Sequence, residues 1–201
     1  MRTHDVVNQA EPLVDYDVFG SDTALVEAVN RLGASGAAPG LRELGARAGS
    51  SQALRWGVEA NTHPPTLRTH DGYGHRIDEV EFHPAWHELL TVAVGQGLHG
   101  APWVSVEPAA HVTRAAGFFV WSQAESGHGC PVSMTYAVIP ALREQPDLAA
   151  EWEPRLTKPD YDEGALAGMA MTEKQGGSDV RANTTTAEPV GDGIYELTGH
   201  K

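Results

Sequence analysis

The chain has 201 residues, 27 of them acidic and 14 basic, for a net charge of −13. That balance argues against direct nucleic-acid binding, which rests on lysine and arginine neutralising phosphates. No apolar run approaches a membrane span, the start Met1-Arg2-Thr3-His4-Asp5 carries no apolar leader core, and the single cysteine, Cys130, excludes an internal disulfide and suits a reducing cytoplasm.

The first twenty residues read as irregular, with Pro12, Asp15, Asp17 and Gly20 scattered through them. Ser21 or Asp22 is a good N-cap for a helix that sets Leu25, Ala28, Val29 and Leu32 on one face and ends at Gly33. A second short helix follows Pro39, carries Leu41, Leu44 and Ala48, and stops at Gly49. Ser50 caps a third, expected to turn Leu54 and Val58 inward and to end before His63-Pro64-Pro65. From Thr66 to Phe82, Leu67 and Ile77 flank Asp71-Gly72-Tyr73-Gly74, which reads as a small hairpin or an extended loop.

Pro84 suits a first helical turn, with Trp86, Leu89, Leu90, Ala93 and Val94 following at helical spacing. Residues 108–125 contain Ala115-Ala116-Gly117-Phe118-Phe119-Val120-Trp121, apolar around almost the whole helical circumference, which predicts a central helix. Val132 to Arg143 reads as a helix kinked by Pro140, and Pro146, Pro154 and Pro159 mark an irregular passage. After Gly164 the pattern turns to strand over Ala165–Thr172, Thr184–Pro189 and Ile194–Thr198, with Gly191-Asp192-Gly193 joining the last two. The expected class is α+β: an all-α domain over 1–164, then the first strands of a β-domain over 165–201. The chain stops at Lys201 in or just after a strand, and the unpaired edge this leaves reads as that of a truncated fragment.

Met171-Thr172-Glu173-Lys174-Gln175-Gly176-Gly177-Ser178-Asp179-Val180 is the most informative stretch. Two glycines admit backbone closed to other residues, and successive amides in such a turn make a concavity for anions. A Gly-Gly turn by itself usually only reverses the chain. The letters around it say more: Met-Thr-Glu-x-x-Gly-Gly-Ser-Asp-Val resembles the flavin loop of the acyl-CoA dehydrogenase family. Lys174-Gln175 and Arg181-Ala182-Asn183-Thr184-Thr185 are similar to its adaptive-response (AidB-type) branch. So are Asn61-Thr62-His63-Pro64-Pro65, Phe82-His83-Pro84-Ala85-Trp86-His87, Cys130-Pro131-Val132-Ser133-Met134-Thr135 and Tyr195-Glu196-Leu197-Thr198-Gly199-His200-Lys201.

The resemblance covers roughly residues 8 to 201 and implies an N-terminal helical domain, a middle β-domain and a C-terminal helical bundle, the last missing here. It implies FAD as cofactor, an acyl-CoA partner, a homotetramer and a cytoplasmic protein. Met169, Ala170 and Met171 would run beside the flavin ring, and Thr172 would meet its polar edge. Gly176, Gly177 and Ser178 would cradle the pyrophosphate, with Ser178 also near the substrate's pantetheine arm. The activity implied is oxidation of the α,β carbons of a short or branched acyl-CoA. The alternative is a non-catalytic flavin-containing DNA-protection protein whose DNA-binding part lies outside this chain. Family members carry proline or alanine around Lys174 and Gln175, and a lysine there either faces the pyrophosphate or snorkels into water. The family's catalytic carboxylate comes from the missing bundle; none of Glu173, Asp179 or Glu188 matches it, so no catalytic residue is assigned and this fragment alone is expected to be inactive.

Bland readings stand for the rest. Thr172 would otherwise be a plain strand threonine and Ser178 a turn residue. His83 and His87 share a helical face, but no third ligand is set by spacing and His83 sits where a cap belongs, so no metal is expected. Cys130 reads as a packed thiol. Trp86, Trp121, Trp152 and Tyr136 read as core or inter-domain contacts, while Phe118, Phe119 and Met134 could wall an acyl pocket.

Overall fold

The computed structural model describes residues 3–201, which form two compact units divided between Ala167 and Gly168. The first is helical. α1 (Val18–Ser21) is a single turn inside the stretch expected to be irregular; the Asp17 carboxylate caps it by accepting from Gly20 N–H at 2.8 Å. Val18 and Phe19 are buried by that turn. α2 (Thr23–Arg31) begins at Asp22, whose carboxylate accepts from Leu25 N–H at 2.9 Å. α3 (Ala38–Ala48) has Pro39 in its first turn and buries Leu41, Leu44 and Ala48.

α4 (Ser51–Thr62) is capped by Ser50, which accepts from Ala53 N–H at 3.1 Å. Its inner face differs from the expected one: Ala53 and Gly57 are buried, while Val58 is 66% exposed. The reason is a close approach. A Cβ at Gly57 would stand 2.4 Å from the Ala124 carbonyl oxygen, so the helix docks on its smallest residue and rotates Val58 to solvent. β1 (Thr66–His70) and β2 (Arg76–Glu81) form an antiparallel hairpin with both faces exposed.

α5 (Pro84–Gly95) buries Leu89, Leu90, Ala93 and Val94 and packs on α4. A short α6 (Ala101–Val104) precedes α7 (Ala110–Trp121). α7 is central on one side, with Ala116, Gly117, Val120 and Trp121 buried, but Phe119 is half exposed. Trp121 anchors the core through its indole N–H, which donates to the Leu89 carbonyl at 3.1 Å.

α8 (Gly129–Leu142) keeps Pro140 within its last turn. Proline has no N–H for the carbonyl four residues back, that of Tyr136. The Trp103 indole fills the gap, donating to Tyr136 O at 2.9 Å. Residues 146–156, expected to be irregular, form α9 (Pro146–Leu156) instead. Pro146 opens it and Pro154 falls in its last turn, the two places where a helix loses least to proline. Trp152, expected in the core or at an inter-domain contact, is 38% exposed on this helix. The passage after α9 is tied back by Thr135 of α8, whose hydroxyl accepts from Ala167 N–H at 2.9 Å.

In the second unit, β3 (Thr186–Gly191) and β4 (Ile194–Thr198) pair antiparallel. The strand expected over residues 165–172 is not formed. That segment pairs with no strand among the described residues, since β3 and β4 bond only to each other. No helix among the described residues is long and apolar enough to cross a membrane.

Candidate functional site

The glycine-rich stretch lies wholly in the second unit and is built around one carboxylate. Glu173 N–H donates to Gly176 O and Gly176 N–H donates to Glu173 O, both at 3.1 Å, which closes a tight reversal with Lys174 and Gln175 at its tip. The Glu173 side chain turns inward, against the polarity rule, and is 2% exposed. Its oxygens accept from Thr185 Oγ1 at 2.7 Å, from Thr185 N–H at 2.9 Å and from Thr184 N–H at 2.9 Å. Thr184 Oγ1 at 3.2 Å and Gln175 Nε2 at 2.5 Å add two more donors, and the Lys201 ammonium stands 3.3 Å away. These bonds, the Thr185 hydroxyl foremost, hold the Glu173 carboxyl well below the usual carboxylate range. Such a group is ionised near neutral pH with its oxygens engaged by donors, which makes it a poor base.

The turn entry is fixed from the other side. Met171 O accepts from Asn183 Nδ2 at 3.1 Å and from Lys201 Nζ at 3.0 Å. Thr172 and Gly177 face each other closely, since a Cβ on Gly177 would come within 2.6 Å of Thr172 Cγ2. Any side chain at Gly177 would force that pair apart.

Each residue expected at the flavin site can be placed. Met169, Ala170, Met171, Thr172, Gly176, Gly177 and Ser178 are all exposed on one short segment. The first four lie on the unpaired run, the last three on the exit of the turn. Gly176 N–H is taken by Glu173. The amides of Gly177 and Ser178 donate to no acceptor among the described residues. The two adjacent amides are thus unengaged donors on an exposed segment, and neither Gly176 nor Gly177 adopts a positive φ. Lys174 is exposed at the tip and pairs with no carboxylate among the described residues.

Glu173 is the residue that sequence reasoning missed. It was weighed only as a base, yet it organises the turn. The signal was available in Thr184-Thr185, two adjacent residues each offering a hydroxyl and an amide to one anion.

The other candidates resolve into structural roles. His83 caps α5, its Nδ1 accepting from Ala85 N–H at 3.2 Å, and its ring stacks on His63. His87 instead hydrogen-bonds the Tyr161 hydroxyl at 2.8 Å. No group of three or more His, Cys, Asp or Glu side chains able to hold a metal occurs among the described residues. Cys130 is exposed rather than packed, because it lies on the outer side of the first turn of α8. His128 is buried apart from it and bonded to Glu125 at 3.0 Å. Phe118 lies under the Arg114 guanidinium, and Phe119 faces outward.

The family described as "Adaptive response protein AidB N-terminal domain" matches residues 8–163. The putative acyl-CoA dehydrogenase AidB of Escherichia coli (strain K12) is 42% identical over 211 aligned residues, covering 100% of this chain and 39% of that protein. Acyl-CoA dehydrogenase family member 11 of Caenorhabditis elegans is 29% identical over 160 residues, covering 76% of this chain and 26% of its own length. Two solved structures superpose with a TM-score of 0.85. The apo form of Bd2924 is 30% identical, with 94% of this chain and 40% of that one covered. Caenorhabditis elegans ACDH-11 in complex with C11-CoA is 25% identical, with 98% and 36% covered. The chain thus spans well under half the length of each.

Proposed function

Since the chain belongs to the AidB N-terminal domain family, within the acyl-CoA dehydrogenase family, we propose that it is the N-terminal part of an FAD-dependent flavoprotein that oxidises the α,β carbons of a short or branched acyl-CoA. One observation carries the reading: the Glu173-locked turn leaves the Gly177 and Ser178 amides free beside an exposed run of backbone.

In this reading Gly176, Gly177 and Ser178 hold the cofactor's pyrophosphate through main-chain N–H groups. Met169, Ala170 and Met171 line the ring, and Thr172 offers its hydroxyl and amide to the ring's polar edge. FAD, when bound, supplies the hydride acceptor for the substrate's β-carbon. The chain's own contribution is positional. Glu173 holds the turn, Asn183 and Lys201 hold the Met171 carbonyl, and Ser178 borders the pantetheine arm. No side chain here removes the α-proton; Glu173 is excluded by its hydrogen bonds. The tetramer is part of the same proposal.

A chimera tests it: this chain replacing the corresponding 39% of Escherichia coli AidB. The expected product is yellow and releases FAD on denaturation, and Ser178→Arg lowers its flavin content. A folded, colourless chimera beside a yellow parent contradicts the proposal.

The second reading, a flavin protein guarding DNA, is favoured by the family's adaptive-response description. It places DNA contact outside these residues, because a net charge of −13 repels phosphates.

A further inference from the structure

A cavity of about 620 Å³ lies between the turn at residues 35–37, α3, the bend at residues 96–98 and α7. Small-molecule sites occupy roughly 300–1,000 Å³. Its walls are apolar, supplied by Leu41, Leu44, Leu98 and Pro102. Gly36 and Gly40 lie on its exposed rim, and a Cβ on either would meet nothing within 4 Å.

Arg114 is the one basic residue in this lining, and the only acid there, Glu107, is exposed. The guanidinium is firmly placed. Nε donates to Leu98 O at 2.7 Å, and the group lies 4.6 Å from the Phe118 ring centre and 4.2 Å from that of Tyr136. Neither Nη1 nor Nη2 has an acceptor among the described residues, and Nη2 is buried. No carboxylate pairs with Arg114 either, although the chain carries 27 acids against 14 bases. A part-buried cation with unmet donors is costly unless an anion completes it. With Nε bonded to Leu98 O and Nη2 buried, Nη1 is the donor left for an oxyanion.

We propose that this cavity binds a small amphipathic anion, with a carboxylate or phosphate head on Arg114 and a hydrocarbon body along Leu41, Leu44 and Leu98. The lining runs from Gly33 to Gly117 and includes no residue of the glycine turn, so the inference stands apart from the flavin reading.

Calorimetric titration of the 201-residue chain with octanoate, octyl phosphate and octanol tests it. At least one of the two anions should bind at least about tenfold tighter than octanol, and Arg114→Gln should erase that preference. The stronger anion identifies the head. Gly40→Leu fills the space within a helix that favours leucine over glycine. It should weaken the anion at least about tenfold without lowering the unfolding midpoint, and it decides the matter if Arg114→Gln does not fold. Octanol binding as tightly as both anions, no binding of either anion, or wild-type binding by Gly40→Leu would each overturn the proposal.

Discussion

The Glu173 carboxylate receives both the hydroxyl of Thr185, at 2.7 Å, and its amide, at 2.9 Å. One side chain thereby joins the glycine turn to the residue before β3. The turn's shape is set by this internal anion; neither Gly176 nor Gly177 adopts a positive φ, and Gly177 matters by giving room to Thr172.

Glu173→Gln replaces one acceptor oxygen with a donor that faces the amides of Thr184 and Thr185. Amide exchange across residues 174–185 should quicken about tenfold or more, because charge-assisted bonds of the strongest class are lost. The unfolding midpoint of the helical unit should not move. Unchanged exchange in this segment would show that Glu173 does not organise the turn.

Ser178→Arg puts a long side chain beside the two free amides. In the AidB chimera it should cut bound FAD severalfold, measured by flavin absorbance per protein, while circular dichroism stays the same. Equal flavin content would remove Ser178 from the site.

Trp103→Phe deletes the donor to Tyr136 O and should cost about 1 kcal/mol of stability by urea denaturation. In a Pro140→Ala background the cost should shrink, since residue 140 then offers its own N–H to the same carbonyl. Equal costs in both backgrounds would mean that the indole is not compensating for the proline.

His99 and His128 give the stability a pH dependence of known sign. Burial pulls both below the ordinary histidine value of 6.5, and for His128 the neighbouring Glu125 offsets only part of that. Folded, both take up their proton at a lower pH than unfolded, where the ordinary value is 6.5. The unfolded state therefore binds more protons, and stability falls as pH goes below that value. His99→Gln should flatten the slope between pH 7 and 5.5, by at most about one proton. A denaturation midpoint that is level across this window would contradict the assignment.

Capping signals translated directly into structure. Asp22, Ser50 and His83 each occupy the N-cap where the sequence puts a helix start, since caps depend on local chemistry alone. Helix faces set by tertiary contact were less legible. Nothing local says that α4 docks on Gly57, so Val58 looked internal. α9 was hidden by Pro146 and Pro154, whose harm depends on a register that the letters do not print. At the candidate site the glycine doublet and its serine were readable as a motif. The carboxylate beneath them was not, because a buried acid inside a turn follows no periodicity.

The central claim is that the Gly177 and Ser178 amides receive the phosphate bridge of FAD. A titration of the ¹⁵N-labelled 201-residue chain with FAD, followed by amide chemical shifts, tests it most directly. The account predicts that Gly177 and Ser178 shift most, with Thr172 following, and that the α2–α5 amides stay in place. Movement elsewhere while those two amides remain still at saturating FAD would contradict it.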